Sequence, residues 1–241
     1  MKTNQTILAV ITVGLLFQGC QKGSMWGIKG EGENVTEYRS ISGVNGIDLS
    51  IDADIRYVQD SVYSLQINGQ ANILSILETK VEGGVFKLDF KRNVWNHNHL
   101  YLEIHAPEMK KISISGSGNI EVAKRIDGAH LDLGISGSGN ITIPTVSLQS
   151  MDVKLSGSGN VAVKSGTCTS EYFNISGGGQ INCEFVNCNA ATAKVSGSGN
   201  ITLSASGSLN VTISGSGNVR YRGNPVVNTD ISGSGKVIHL N

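Results

Sequence analysis

Three cysteines stand where they could react with one another. Cys168 and Cys188 are 20 residues apart with Cys183 between them, and 20 residues is also the spacing at which a glycine-rich tetrapeptide recurs along the second half of the chain. Neighbours stacked about 4.8 Å apart fall within the Cα range of a disulfide, although side chains running in parallel make the torsion awkward. Cys168 and Cys188 are therefore a candidate disulfide. The competing reading makes all three cysteines small apolar core residues. No histidine lies in the same coils, so a zinc site is not expected there. Asp132 and Asp152 are also one period apart, on the outward phase. Two close carboxylates are what acid–base cleavage of a glycosidic bond requires. Lys154 stands two residues from Asp152, however, and no group of acids and arginines recurs on that face, so a solvated charge pair is the better reading. His97 and His99, near Trp95, have a strand's i, i+2 spacing but lack a third ligand, and they read as a solvated loop. His239 has the inward phase of the last coil and reads as part of an end cap. No catalytic set, metal or cofactor is expected from these residues.

The positions of all these groups depend on the repeat. Ser-Gly-Ser-Gly begins at Ser115, Ser136, Ser156, Ser196, Ser214 and Ser232, and a variant copy, Ser-Gly-Gly-Gly, begins at Ser176. The start-to-start spacings are 21, 20, 20, 20, 18 and 18 residues. Five of the six full units carry two glycines and then an asparagine: Gly116, Gly118 and Asn119; Gly137, Gly139 and Asn140; Gly157, Gly159 and Asn160; Gly197, Gly199 and Asn200; Gly215, Gly217 and Asn218. Gln180 and Lys236 take the amide position in the other two. The repeat is not a phosphate-binding loop, since the Lys-Ser/Thr ending is missing and no helix follows. Nor is it the calcium-binding nonapeptide, which has Asp where these units have Asn.

Apolar residues alternate with polar ones on both sides of every corner, as in Ile112 and Ile114 before Gly116, and Ile120 and Val122 after Gly118. An antiparallel hairpin repeat would need a second strong turn in each unit, and stretches such as 144–150 and 165–170 do not supply one. The period, the phase and the amide column together indicate an all-β fold, a parallel β-helix with coils of about 20 residues, in preference to a β-sandwich or propeller. Right-handed winding follows from the handedness of parallel crossovers. In this arrangement the glycines form corners, for which tolerance of positive φ is the expected reason, and the amides form a hydrogen-bonded ladder.

Ahead of the repeats, residues 36–110 read as a less regular β region. Ile47 to Ile51, Tyr63 to Ile67, Val85 to Phe90 and Leu100 to Ile104 alternate like half-buried strands. Gly83-Gly84 marks a turn, residues 71–77 one short helical turn, and residues 93–99 a loop. Residues 36–241 are expected to form one continuous domain, with the repeat β-helix over 111–241. Residues 1–19 read as an export signal: Lys2, then an apolar run from Ile7 to Phe17 that is too short to span a bilayer. The run ends at Leu16-Phe17-Gln18-Gly19-Cys20, which resembles the lipobox of bacterial lipoproteins and makes Cys20 the expected lipidation site. The alternative is a plain secretory signal in which the cysteine is incidental. Residues 20–35 read as a tether. The chain has 19 basic and 19 acidic residues, a balance that excludes counterion-driven nucleic-acid binding and a polybasic membrane surface. Its 31 glycines and 3 prolines suit tight turns rather than disorder.

Asn45-Gly46-Ile47-Asp48, Gly83-Gly84, Ala106-Pro107 and the Ile-Ser-Gly-Ser-Gly-Asn units together resemble the family called putative auto-transporter adhesin, head GIN domain, over residues 36–235. The resemblance implies a β-helix fold and an exported bacterial lipoprotein, and it carries over no catalytic residue. The expected function is thus non-enzymatic: a cell-envelope protein held to the membrane by an N-terminal lipid and binding an unknown protein or glycan. The alternatives are a carbohydrate-active β-helix enzyme and a structural protein that self-assembles. Exposed coil ends are sheet edges, so a homo-oligomer or a cap of short terminal strands is expected.

Overall fold

The computed structural model describes residues 27–241. It is a parallel β-solenoid of about 6 turns. Each coil contains three stretches. Four residues follow the glycine corner, as in Asn140–Ile143. A longer strand, such as Thr145–Leu155, then runs through a bend before the next corner. Burial alternates on both sides of that bend but slips phase within it. In the strand Gly166–Ile175, Cys168 is inward, Thr169 and Ser170 are both exposed, and Glu171 and Phe173 are inward again. Coils stack in register, Asn140 on Asn160 and Asp132 on Asp152. Every parallel ladder therefore places equivalent residues one above another.

The lumen is filled by side chains. Ile112, Leu133, Val153, Phe173, Ala193 and Val211 form one inward column, each 2% exposed or less. Phe173 sits beside Ala193 in this column, the largest residue against the smallest, which keeps the interior at close-packed density. Each buried branched aliphatic side chain contributes on the order of 2 kcal/mol.

The corners need glycine for a reason other than the one expected. None of the repeat glycines at Gly116 to Gly159 or Gly197 to Gly217 has a positive φ. What excludes other residues is stacking distance. A Cβ on Gly157 would lie 1.9 Å from the Gly137 carbonyl oxygen below it, and one on Gly139 would lie 2.1 Å from that of Gly118. The close approach lets the corner backbone bond from coil to coil, with Ser158 N–H donating to the Gly137 carbonyl at 3.1 Å. Next to the corners Asn119 donates to Asp54 Oδ1, Asn140 to Asn119 and Asn160 to Asn140, all at 2.8 Å. The ladder resumes beyond Gln180 with Asn218 donating to Asn200 at 3.0 Å.

Parallel stacking starts well before the first Ser-Gly-Ser-Gly. Gly46–Leu49 pairs with Lys111–Ile114, and Asp54–Gln59 with Asn119–Val122. The linking residues, Ser50 to Ala53, lie directly beneath the first corner, with Ser115 N–H donating to Leu49 O at 2.9 Å. The N-terminal end is closed by antiparallel strands. Asn34–Arg39 pairs with Ser64–Gln70, which pairs in turn with Tyr101–Ala106. The helical turn Ala71–Leu74 buries Ile73 and Leu74 beside them. Leu77–Glu82 and Val85–Phe90 form a hairpin through Gly83 and Gly84, both at positive φ, as the tight primed turn requires. Two sequence readings are corrected here. The described part of the stretch read as a tether is docked, since Ile28–Lys29 pairs with Val94–Asn96, and that second strand lies within the stretch read as a loop. Strands of two or three residues are too short to show alternation. At the other end, no strand among the described residues covers the last coil. Val226 and Ile231 of the last coil are exposed, and His239 continues the column of Leu203 and Tyr221, as its phase implies, stacking on Tyr221 at 4.9 Å between ring centroids while staying exposed in the last layer.

Candidate functional site

Two groups of chemistry-bearing side chains come together, one inside the solenoid and one on its outer face. The inner group is built on two adjacent strands, Gly166–Ile175 and Gln180–Val195. Cys168 and Cys188 are Cα partners on adjacent strands. Both are thiols: Cys168 donates to the Ser170 carbonyl at 3.0 Å and Cys188 to that of Ala190 at 3.1 Å. Cys183 is fully buried at another inward position. Beyond the phase slip stands Glu171, 3% exposed, stacked on Met151. Neither of its carboxyl oxygens has a hydrogen-bond partner among the described residues. Burial pushes this carboxyl up to about 9, and the charge of Cys168 adds to the rise, so at neutral pH it is an uncharged acid. The contact with Cys188 pulls the Cys168 thiol down and raises that of Cys188, while burial raises Cys183.

The outer group lies on the sheet formed by the segments that precede the corners. Lys111, Asp132, Asp152 and Tyr172 form one outward ladder, and Ser113, Gly134, Lys154 and Asn174 form the next. Gly134 leaves a gap in the second, so a shallow groove of about 300 Å³ runs between Lys111, Lys154 and the corner serines. Lys194 lies over the Tyr172 ring, 5.7 Å from its centroid. His130, at the bend, reaches this face: its Nδ1 is 2.7 Å from Ser150 Oγ, and its Nε2 is 3.4 Å from Asp132 Oδ2. One donor atom from each of His130, Asp132 and Asp152 lies within 4.8 Å of the others. The expected outward pairing of Asp132 and Asp152 thus has a histidine beside it that sequence reasoning passed over. At the N-terminal end His105 bridges Asp60 at 3.1 Å and Glu103 at 3.0 Å, and Arg56 holds Glu103 at 2.8 Å. The hydrogen bond to Glu103 raises His105, and that to His105 lowers Glu103. His97 and His99 do not converge: His97 Nδ1 is 2.6 Å from the Asn98 carbonyl, and His99 pairs with Asp54 at 2.7 Å. Cys20 lies outside the described residues.

The sequence model of the family described as putative auto-transporter adhesin, head GIN domain, matches residues 44–225. The chain belongs to the head GIN domain family. A solved structure of a putative adhesin from Bacteroides fragilis NCTC 9343 is 25% identical, with a TM-score of 0.82 over 88% of this chain and 100% of that one. A putative lipid binding protein from Parabacteroides distasonis ATCC 8503 is also 25% identical, with a TM-score of 0.75 over 89% of this chain and 99% of that one. A putative adhesin from Parabacteroides merdae ATCC 43184, at 21% identity and a TM-score of 0.74 over 89% and 99%, shares the fold. No curated protein matches the chain.

Proposed function

We propose that this head GIN domain protein is a non-enzymatic binding protein of the bacterial cell envelope, exported and held at the membrane by a lipid on Cys20. The observation that carries the reading is the outer sheet, in which in-register ladders hold Lys111, Asp132, Asp152, Lys154, Tyr172 and Lys194 as a rigid, mixed-charge, hydrogen-bonding wall. A preorganised flat wall loses little entropy on binding an extended partner. The family description and the names of the Bacteroides and Parabacteroides adhesins support binding as its role. The lipid-binding name of one relative raises a second reading. The lumen here is occupied by side chains such as Phe173 and Ile175, each at 0% exposure, so a lipid would have to meet the outer faces.

A glycan and matrix-protein array probed with the full chain tests the reading. Saturable binding that is lost when Lys111, Lys154 and Lys194 are changed together to Ser supports it. Binding unaffected by that change, or turnover of a polysaccharide abolished in Asp132→Ala/Asp152→Ala, would overturn it. Incorporation of an alkyne fatty acid that disappears in Cys20→Ser tests the anchor separately.

A further inference from the structure

We infer that His130, Asp132 and Asp152 form a binding site for one divalent transition-metal cation, with zinc as the reference ion, on the outer sheet of the solenoid. Three observations converge on this. First, one donor atom from each residue lies within 4.8 Å of the others, an imidazole nitrogen and two carboxylate oxygens. Donors around one zinc ion sit about 2.0–2.2 Å from it and hence roughly 3.0–3.5 Å from one another. Side-chain rotations on the order of an ångström close that difference, with the backbone fixed by the ladder.

Second, the imidazole is held in a usable orientation. His130 Nδ1 is 2.7 Å from Ser150 Oγ. With Nδ1–H donating to that hydroxyl, the lone pair is on Nε2, the nitrogen that faces Asp132 at 3.4 Å. A hydrogen-bond acceptor for the other ring N–H is the usual support of a metal-ligating histidine, and the Ser150 hydroxyl fills that place here.

Third, the two carboxylates are direct Cα partners in a parallel ladder. Like charges opposite each other on a sheet are destabilising. Lysines are nearby, with Lys111 next to Asp132 in the same ladder and Lys154 on the neighbouring one, yet among the described residues neither forms an ion pair with Asp132 or Asp152. A divalent cation would neutralise the pair. The imidazole favours zinc, copper or nickel over calcium and magnesium, which prefer all-oxygen sites. The remaining positions on the metal face solvent, so a carboxylate or hydroxyl of a binding partner could complete the shell and join this site to the wall around it.

Isothermal titration of the full chain with zinc chloride under reducing conditions tests the inference, together with cobalt titration followed by visible absorption. One saturable equivalent is expected, weakened at least tenfold in both His130→Ala and Asp152→Asn and unchanged in His97→Ala/His99→Ala. Circular dichroism confirms that the exposed-site variants keep the fold. Wild-type affinity retained in the His130 and Asp152 variants, absence of saturable zinc binding, calcium binding as tight as zinc binding, or a thiolate-to-cobalt charge-transfer band that places the ion on cysteine would each overturn it.

Discussion

Replacing Glu171 with methionine should make this protein more stable, by an amount that depends on pH. In the folded chain the carboxyl is buried and its pKa stands at about 9, against an ordinary value of 4.5. Between those limits the folded state keeps a proton that the unfolded state releases. The contribution of Glu171 to stability is therefore most favourable below about pH 4.5, falls by about 1.4 kcal/mol per pH unit as pH rises, and levels off above about 9. At pH 7 the accumulated penalty is about 3 kcal/mol, rising to about 6 kcal/mol at the plateau. Methionine already occupies the same column one coil earlier, at Met151, and it has nearly the volume of glutamate without its two unpartnered oxygens. Urea unfolding of the wild type and Glu171→Met, followed by far-ultraviolet circular dichroism at several values between pH 5 and 8, isolates this effect. Other titrating groups, His105 among them, cancel in the difference between the two chains. The gain from the substitution should increase with pH by about 1.4 kcal/mol per unit. A constant difference across that range, or a variant less stable than the wild type at pH 7, would refute the argument.

Gly157→Ala should be strongly destabilising, by about 3 kcal/mol or more, because its Cβ meets the Gly137 carbonyl oxygen at 1.9 Å; Gly178→Ala, with nothing within 4 Å, should change the urea midpoint little. Asn140→Ala breaks two rungs of the amide ladder and should cost about 1–2 kcal/mol, measured in the same way; no loss would show the ladder to be passive. Mild diamide oxidation should link Cys168 to Cys188 and leave Cys183 free. Peptide mapping that found Cys183 in the bridge would count against the stacked pairing. Phe173→Ala should cost about 3–5 kcal/mol, since Phe173 is fully buried and Ala193 beside it cannot fill the space.

The repeat made the solenoid legible because period and phase survive in one sequence: alternation on both sides of Gly137 or Gly157 states which face is inward. The reason for those glycines was not legible. Positive φ is a local property that a single segment can suggest, whereas the actual constraint is the carbonyl of the next coil, which no segment contains. The bend hid two residues of chemical interest. Both keep the phase of the segment that follows it, Glu171 two residues before inward Phe173 and His130 two before outward Asp132, but a charged residue type on an inward position does not show as apolar alternation, and His130 carries no strand signal of its own. The early coil went unrecognised because Ser50-Ile51-Asp52-Ala53 turns the same corner without the glycine pattern. Short strands such as Ile28–Lys29 exist only through their partners.

The stacking of Phe173 against Ala193 also bears on assembly of the chain. Coils with almost identical corners and amides can stack one unit out of place and keep nearly all of their backbone hydrogen bonds. What distinguishes the native order is the mismatch that such a slip creates. Moving Phe173 one coil along would set it against Val211, which follows Ala193 in its column, and the interior would be crowded in one layer and hollow in another. The unequal residues within an otherwise repetitive lumen thus act as addresses, and the fidelity of folding rests on the few positions where the repeats differ.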